Sequence, residues 1–390
     1  MSLSTKTPRA VRRLAGLAAV GAAVAILGAG CGSTSSSSSP SSPSGTTVAT
    51  NASASSPSAS VSQAQQAIAQ YTQRPTSITV TAPVGKSIPA GKKIVFISCG
   101  ASACILQGNI VKQGAALLGW KSTTIATDGS PAQIQNAYET AVRTGADAIV
   151  TTAAIRAELT AQLPKLQAKG IPVSNCCSTD PVAAPFIYNT STSPQNLTLG
   201  KMLAAEVVVD SKGKADTLFV NIPAFTILAP LGKAFQQYYN QWCTGCSYAS
   251  MDVALTQVAN APNLIVSYLR SHPSVKYVVL SVSDALGTGL PGALTAAGLT
   301  GVKVLGQGGD PTSFQYLADG QFLALAPFDY YGVDYQMLDA LARHFAGVPV
   351  QMTPPPRWLL TKSNLPANHT QPFPLVATNQ SQFLKLWGKS

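Results

Sequence analysis

The 390-residue sequence contains little charge and little histidine. Only 11% of its residues are Asp, Glu, Lys or Arg, and it has three histidines. His272, His344 and His369 stand near the ends of helical patterns or in the C-terminal tail, where surface positions are the simplest expectation. No serine stands in the nucleophile-elbow pattern that exposes a catalytic hydroxyl. We therefore predict no catalytic residue, no cofactor and no metal site.

Two further absences exclude other classes of protein. The net charge is +11, but beyond the N-terminus the Lys and Arg residues are scattered singly, without the basic stripe of a nucleic-acid surface. No apolar run after residue 30 approaches the ~18 residues that a membrane helix needs. We therefore expect no binding to nucleic acid and no later membrane span.

The N-terminus has the pattern of an export signal. A basic patch precedes the small and apolar run Leu14–Leu27, which is followed by "GAGC". The segment "LGAGC" resembles the lipobox of bacterial lipoproteins, which implies a signal peptide over residues 1–30 and a lipid attached to Cys31. The alternative is an ordinary signal peptide that ends near a cysteine.

A polar segment separates this signal from the rest of the chain. Residues 31–62 are rich in Ser, Ala and Thr, and such a composition buries too little apolar surface to fold. We predict a flexible tether over residues 31–62 and an N-terminal extension over residues 63–91.

From Lys92 onward, short β-branched runs alternate with stretches of helical period. Nine runs read as strands, and the fully apolar ones predict parallel sheets that are covered by helices on both faces. There are too many units for one compact sheet, and the polar stretch "YNTSTSPQN" interrupts the pattern at residues 188–196. We therefore predict an α/β protein of two lobes. The predicted strands are "KKIVFIS", "STTIAT", "DAIVTTA", "GIPVS", "PFIYNT", "DTLFVNI", "YVVLSVS", "VKVLGQ" and "FLALAPF".

The order of these segments resembles that of a known family. "KKIVFISCG", then "LQAKGIPVS", and later "VKVLGQGGDPTSFQYLADGQFLALAPFDYYG" are similar to the sugar-type (class I) periplasmic binding proteins of bacterial ABC importers. The resemblance implies two Rossmann-like lobes with parallel sheets, closing over a ligand and joined by a hinge of three crossings. It places the crossings near residues 188–192, 308–310 and 327–330.

The same resemblance implies a division of the chain and a function. Lobe 1 is expected to comprise residues 92–190 and 328–350, lobe 2 residues 191–327, and the tail of residues 351–390 is expected to pack on the lobes. The implied protein is a monomeric, exported receptor, held by lipid at the outer face of the cytoplasmic membrane, which delivers a small molecule to an ABC permease. The alternative is a sensor that signals to a membrane partner.

Candidate ligand-binding residues follow the strands, because ligands of open α/β sheets lie beyond the carboxyl ends of the strands. Where sugar-binding relatives carry an Asp-Arg pair, this sequence has Cys177 and Ser178, so we expect a sugar-like or less hydroxylated ligand. Asp310 is expected to bind the ligand, with helix capping as its alternative role. The predicted ligand-binding residues are Asp310, Ser283, Asp284, Cys104, Cys177, Phe225, Phe328 and Tyr330.

Six cysteines remain after Cys31, an even number that favours disulfides in an exported chain. "CTGC" predicts a local bridge between Cys243 and Cys246. Several pairings stay open for the other four, which include Cys99 with Cys104, Cys176 with Cys177, or a bridge between these two segments. The alternative is a zinc site of four thiolates, although the two C-x₂-C knuckles that it needs are lacking.

Overall fold

The computed structural model describes residues 57–190 and 192–389. The predicted signal peptide, Cys31 and most of the predicted tether lie outside these residues. Helix α1 (Pro57–Ala69) begins within the segment of residues 31–62 that was predicted to be a tether. Ala64 and Ile68 lie four residues apart on one face of α1 and are buried against lobe 2, which orders this stretch. The predicted tether is therefore too long at its C-terminal end.

The first sheet is built from the first five strands, all parallel, in the order β2-β1-β3-β4-β5. Helices cover both of its faces, as the apolar strands β1 and β3 require. Its strands are β1 (Lys93–Ile97), β2 (Lys121–Ile125), β3 (Ala148–Thr152), β4 (Val173–Cys176) and β5 (Phe186–Asn189). Its helices are α2 (Ser102–Leu117), α3 (Pro131–Arg143) and α4 (Leu163–Ala168), with a 3₁₀ turn at Arg156–Leu159.

The second sheet has the order β10-β9-β8-β6-β7 and is also parallel. Its strands are β6 (Thr217–Asn221), β7 (Tyr248–Asp252), β8 (Tyr277–Leu280), β9 (Lys303–Gln307) and β10 (Phe322–Ala326). Its helices are α5 (Thr192–Asp210), α6 (Leu228–Trp242), α7 (Ala261–Ser271), α8 (Ser283–Leu286), α9 (Leu290–Ala296) and α10 (Pro311–Ala318), with a 3₁₀ turn at Leu255–Asn260. The two sheets establish the predicted α/β fold of two lobes, the type I periplasmic-binding-protein architecture.

Strand β7 is missing from the nine strands that the sequence predicts. Its sequence, YASMD, has no continuous apolar run, because β7 is an edge strand whose residues are partly exposed. Strand β7 forms ladder hydrogen bonds with β6 alone, and its partly exposed residues show no hydrophobic periodicity from which a strand could be predicted.

The chain passes between the lobes at two of the three predicted crossings. It leaves lobe 1 after β5 and returns after β10, where α11 (Tyr330–Ala346) packs on α2, β4 and β5. The crossing predicted at residues 308–310 is wrong, because this segment joins β9 to α10 within the second lobe.

The C-terminal tail passes between the lobes instead. After α11, the tail reaches lobe 2, where Leu360 forms an isolated antiparallel bridge with Leu325 of β10. It then returns to lobe 1, where α12 (Asn379–Leu386) contacts α11. Trp387 stacks on Tyr335 of α11, with ring centroids 5.8 Å apart. The tail thus contacts both lobes beside the hinge.

The buried clusters all lie within the described part of the chain, from Ala64 to Trp387. The described residues form one compact unit that contains both lobes. None of the helices described in this unit combines the length and the apolar character that a membrane crossing requires.

Candidate ligand-binding cleft

A small cavity lies where the carboxyl ends of the two sheets face each other. Its volume is about 110 Å³, and its wall is mostly apolar. Lobe 1, lobe 2 and the return crossing all contribute to this wall, which is the position expected for a ligand of open α/β sheets. The wall consists of Cys99, Ala101, Ala103, Cys104, Gln107, Thr152, Ala153, Cys177, Phe225, Ile227, Leu228, Val282, Asp284, Ala285, Gln307, Phe328 and Tyr330.

Six of the eight residues predicted from the strand ends line this cavity. Two come from lobe 1, two from lobe 2 and two from the return crossing. They are Cys104, Cys177, Phe225, Asp284, Phe328 and Tyr330.

Asp310 and Ser283 are not part of the cavity wall. The Asp310 carboxylate accepts a hydrogen bond of 2.7 Å from the backbone N–H of Ser313 and so caps α10, the role that was its alternative. The Ser283 hydroxyl is buried and donates to the carbonyl oxygen of Gln307 at 2.9 Å. Both side chains are therefore hydrogen-bonded within the second lobe.

Asp284 is the carboxylate on the wall, and it is hydrogen-bonded to the loop after β9, to α10 and to α11. Burial first, and then the charge of Asp310, raise the pKa of Asp284 to about 7. Its carboxylate accepts hydrogen bonds from the backbone N–H groups of Gly309 (2.9 Å) and Asp310 (3.2 Å), and from the hydroxyls of Ser313 (2.9 Å) and Tyr330 (2.8 Å).

Gly308 lets the loop after β9 approach Asp284 closely. A Cβ at this position would collide with the Ser283 hydroxyl and with the Asp284 carboxylate. Gly308 lies in the segment that was expected to be a crossing, whereas its physical role is to allow this close packing.

Two disulfides lie at the carboxyl ends of β1 and β4. They join Cys99 to Cys104 and Cys176 to Cys177, pairings that the sequence left open among others. The Cys104 sulfur lies 3.1 Å from the hydroxyl of Thr152, at the end of β3. Because β3 lies between β1 and β4 in the sheet, the two disulfides lie close together, and Cys99, Cys104 and Cys177 line the cavity.

The third disulfide, Cys243–Cys246, follows α6 and is not part of the cavity wall. With the six cysteines paired in this way, the four-thiolate zinc alternative has no support. Within the described residues, no three metal-ligating side chains are grouped to hold a metal ion.

Sequence reasoning missed two polar residues on the wall, Gln107 and Gln307. Gln107 is buried in α2 and donates to Asp334 of α11 at 2.8 Å. It follows Cys104 by three residues, and this helical spacing was a usable signal. Gln307 is the last residue of β9, and its Oε1 is buried without a hydrogen-bond partner among the described residues.

Comparison with known proteins identifies the family. The model for the periplasmic binding protein domain matches residues 104–348, which include lobe 2 and most of lobe 1. The chain belongs to the periplasmic binding protein family. This is a family of extracytoplasmic solute-binding proteins, not of enzymes, and its members bind small molecules and work with ABC permeases. No curated protein matches the sequence of this family member.

Solved structures share the fold of this periplasmic binding protein at low identity. A subunit of an ABC sugar transporter from Rhodobacter sphaeroides 2.4.1 is 21% identical, with a TM-score of 0.61 over 70% of this chain and 99% of that chain. GanP, a glucose-galactose binding protein from Geobacillus stearothermophilus, is 19% identical, with a TM-score of 0.62 over 71% and 100% of the two chains. A 5-methylthioribose transporter solute-binding protein from Thermotoga lettingae TMO is 18% identical, with a TM-score of 0.62 over 79% and 95%. At such identities the likeness supports the fold and not the ligand.

Proposed function

We propose that the chain is a lipid-anchored extracytoplasmic receptor, which binds a small molecule between its lobes and delivers it to an ABC permease. One observation carries the proposal: a single cavity is walled by both lobes and by the crossing that joins them. A ligand in this cavity contacts both lobes at once, so it stabilises the arrangement in which they are close together.

The ligand contacts are proposed for the six predicted residues on the wall and for Gln107 and Gln307. Cys104 and Cys177 form the lobe 1 side, while Phe225 and Asp284 form the lobe 2 side. The absence of the Asp-Arg pair of sugar-binding relatives favours a ligand with fewer hydroxyls than a free hexose.

The anchor is proposed from the sequence alone. The basic patch, the apolar run and the lipobox-like "LGAGC" support cleavage before Cys31 and lipid attachment to its sulfur. Residues 32–56 then act as the tether, since α1 begins at Pro57.

The binding role is tested by titration calorimetry with a panel of monosaccharides, polyols, amines and aromatic acids. We expect one-to-one binding of at least one class and no chemical turnover of the bound compound. The matched variants are Asp284→Asn in the cavity and Asp319→Asn on an exposed surface, and only the first should weaken binding. Turnover of the compound, or equal effects of the two variants, would contradict the proposal.

The anchor is tested by cell fractionation. The parent chain should be found with the membrane and should incorporate labelled fatty acid, whereas Cys31→Ser should not incorporate the label. Labelling that persists in Cys31→Ser would contradict the anchor, without affecting the binding role.

A further inference from the structure

The cavity wall contains an acceptor that needs a donor from outside the protein. Gln307 is only 7% exposed, it lines the cavity, and its Oε1 has no hydrogen-bond partner among the described residues. A buried acceptor without a partner destabilises the protein, so a ligand that donates to it is favoured.

Other polar side chains on the wall have already used their protons within the protein. Tyr330 donates its hydroxyl proton to Asp284, and Gln107 donates its amide N–H to Asp334. The Thr152 hydroxyl faces the sulfur of Cys104, which is in a disulfide and has no proton to give. These three side chains offer a ligand mainly acceptor oxygens.

Three aspartates lie on or next to the cavity wall. Asp284 lies on the wall, Asp310 is bonded to it through its backbone N–H, and Asp334 lies directly behind Gln107. Asp334 is fully buried, and its Oδ2 has no hydrogen-bond partner in the described part of the chain.

No basic side chain balances these carboxylates at the cavity. None of the described residues on its wall is Lys, Arg or His. The buried Arg357 of the tail acts electrostatically on Asp329, at the start of α11. Buried carboxylates without a cationic partner either keep a proton or attract a cation.

The remaining walls suit an apolar body that carries positive charge. Phe225, Phe328 and Tyr330 line the cavity, and the rings of Phe328 and Tyr330 lie 5.0 Å apart between centroids. Aromatic faces attract organic cations through the negative face of the ring. The cavity, of about 110 Å³, suits a compact molecule.

We propose that the ligand of this cleft is a compact protonated amine, whose N–H donors face Asp284 and Gln307 and whose apolar body lies against the aromatic and disulfide walls. This inference rests on the proposed binding function and names its substrate class. Asp284 Oδ2 accepts one hydroxyl, from Tyr330, and shares the Gly309 N–H with Oδ1, so it retains capacity for another donor. An ammonium group supplies both the charge and the donors that the wall lacks.

The test compares isosteric probes on the full chain, solubilised in a nonionic detergent without a sugar headgroup. The probes are primary amines from isobutylamine to phenethylamine, the alcohol isostere of each, benzoate, tetramethylammonium, D-ribose and D-galactose. We expect at least one amine to bind tenfold or more tightly than its alcohol, and no binding of benzoate. Asp284→Asn should weaken the binding of that amine at least tenfold, while Asp319→Asn, which removes an exposed carboxylate, should leave it within twofold.

The possible results distinguish a failure of the amine proposal from a failure of the proposed solute-binding function. Tight binding of a sugar, an alcohol or benzoate, with no amine preferred, overturns the amine and leaves the solute-binding function intact. Binding of tetramethylammonium as tight as that of the best amine overturns the donor role of the N–H groups. If no probe binds, the amine inference fails, and the wider panel proposed above decides the function separately.

Discussion

Asp284 connects the end of the second sheet to the chain that returns to lobe 1. It accepts from Tyr330, the first residue of α11, and from the backbone of Gly309 and Asp310 after β9. A buried carboxylate with several donors holds these segments in one geometry, and its loss leaves those donors without a partner. The same side chain lines the cavity. Ligand binding and hinge geometry therefore meet at one residue.

The raised pKa of Asp284 predicts how the stability of the ligand-free protein depends on pH. The folded value is about 7 against 3.8 for the unperturbed group, so between these values the folded state retains a proton that the unfolded state releases. Stability from this group is therefore present at low pH and is lost as the pH rises through 7, by a few kcal/mol in total at ~1.4 kcal/mol per pKa unit. Denaturant unfolding at pH 5 and pH 8 should show a smaller difference for Asp284→Asn than for the parent. Identical pH dependence in both proteins would show that Asp284 does not titrate in this range.

A second prediction concerns Asp310, whose carboxylate caps α10 outside the cavity. Asp310→Ala removes the acceptor for Ser313 and should lower the free energy of unfolding by about 1 kcal/mol. Asp310→Asn retains a capping oxygen, so it should lower the free energy of unfolding by only a few tenths of a kcal/mol. Both variants should bind the best amine within about threefold of the parent. Calorimetry that finds a loss of tens of fold in Asp310→Asn would instead restore the ligand contact expected from the sequence.

At the scale of the element, we expect a disulfide beside the cavity and the disulfide that follows α6 to contribute similarly to stability but differently to ligand binding. Each closes a short loop, and loops of this length contribute about 2 kcal/mol by constraining the unfolded chain. Cys99→Ser/Cys104→Ser and Cys243→Ser/Cys246→Ser should therefore lose similar stability in thermal unfolding. Only the first pair should also weaken binding, since Cys99 and Cys104 line the cavity whereas Cys243 and Cys246 do not. Equal losses of affinity in both double variants would contradict the proposed role of the disulfide wall.

Helix α1 offers another prediction at this scale, because it packs on α5 and α6 of lobe 2. Ile68 is 6% exposed in α1, and Ile68→Ala should cost about 2–4 kcal/mol of unfolding free energy. The matched control is Gln66→Ala on the exposed face of the same helix, which should change stability by less than about 0.5 kcal/mol. A negligible effect of Ile68→Ala would mean that α1 is not part of the folded unit.

Sequence patterns located the buried elements well and the edges poorly. The apolar runs of β1, β3 and β8 are buried along most of their length, so composition alone marked them as strands. Strand β7 was not predicted because an edge strand does not need an apolar run. The start of α1 was not predicted because its small and polar residues have the composition of a tether, and only packing against lobe 2 orders them.

At the scale of the whole molecule, strand ends predicted where the site lies but not which way each side chain points. Asp310 and Ser283 stand beside the site in sequence, yet neither lines the cavity, and both side chains are hydrogen-bonded within lobe 2. Gln107 and Asp334 meet only because α11 returns to lobe 1, a contact over 227 residues that no local pattern contains. The path of the tail could not be predicted from the sequence either. Leu360 pairs with Leu325 at the open edge of β10, and this edge exists only once the sheet has formed.

The central claim is that the two lobes close on a ligand held between them. Small-angle scattering of residues 57–390, the unit that contains all the described core clusters, tests it most directly. Addition of the tightest compound of the panel should lower the radius of gyration at one-to-one saturation, and Asp284→Asn should need far more compound to reach the same state. An unchanged radius of gyration at full saturation, with the same affinity in Asp284→Asn, would contradict closure around this cleft.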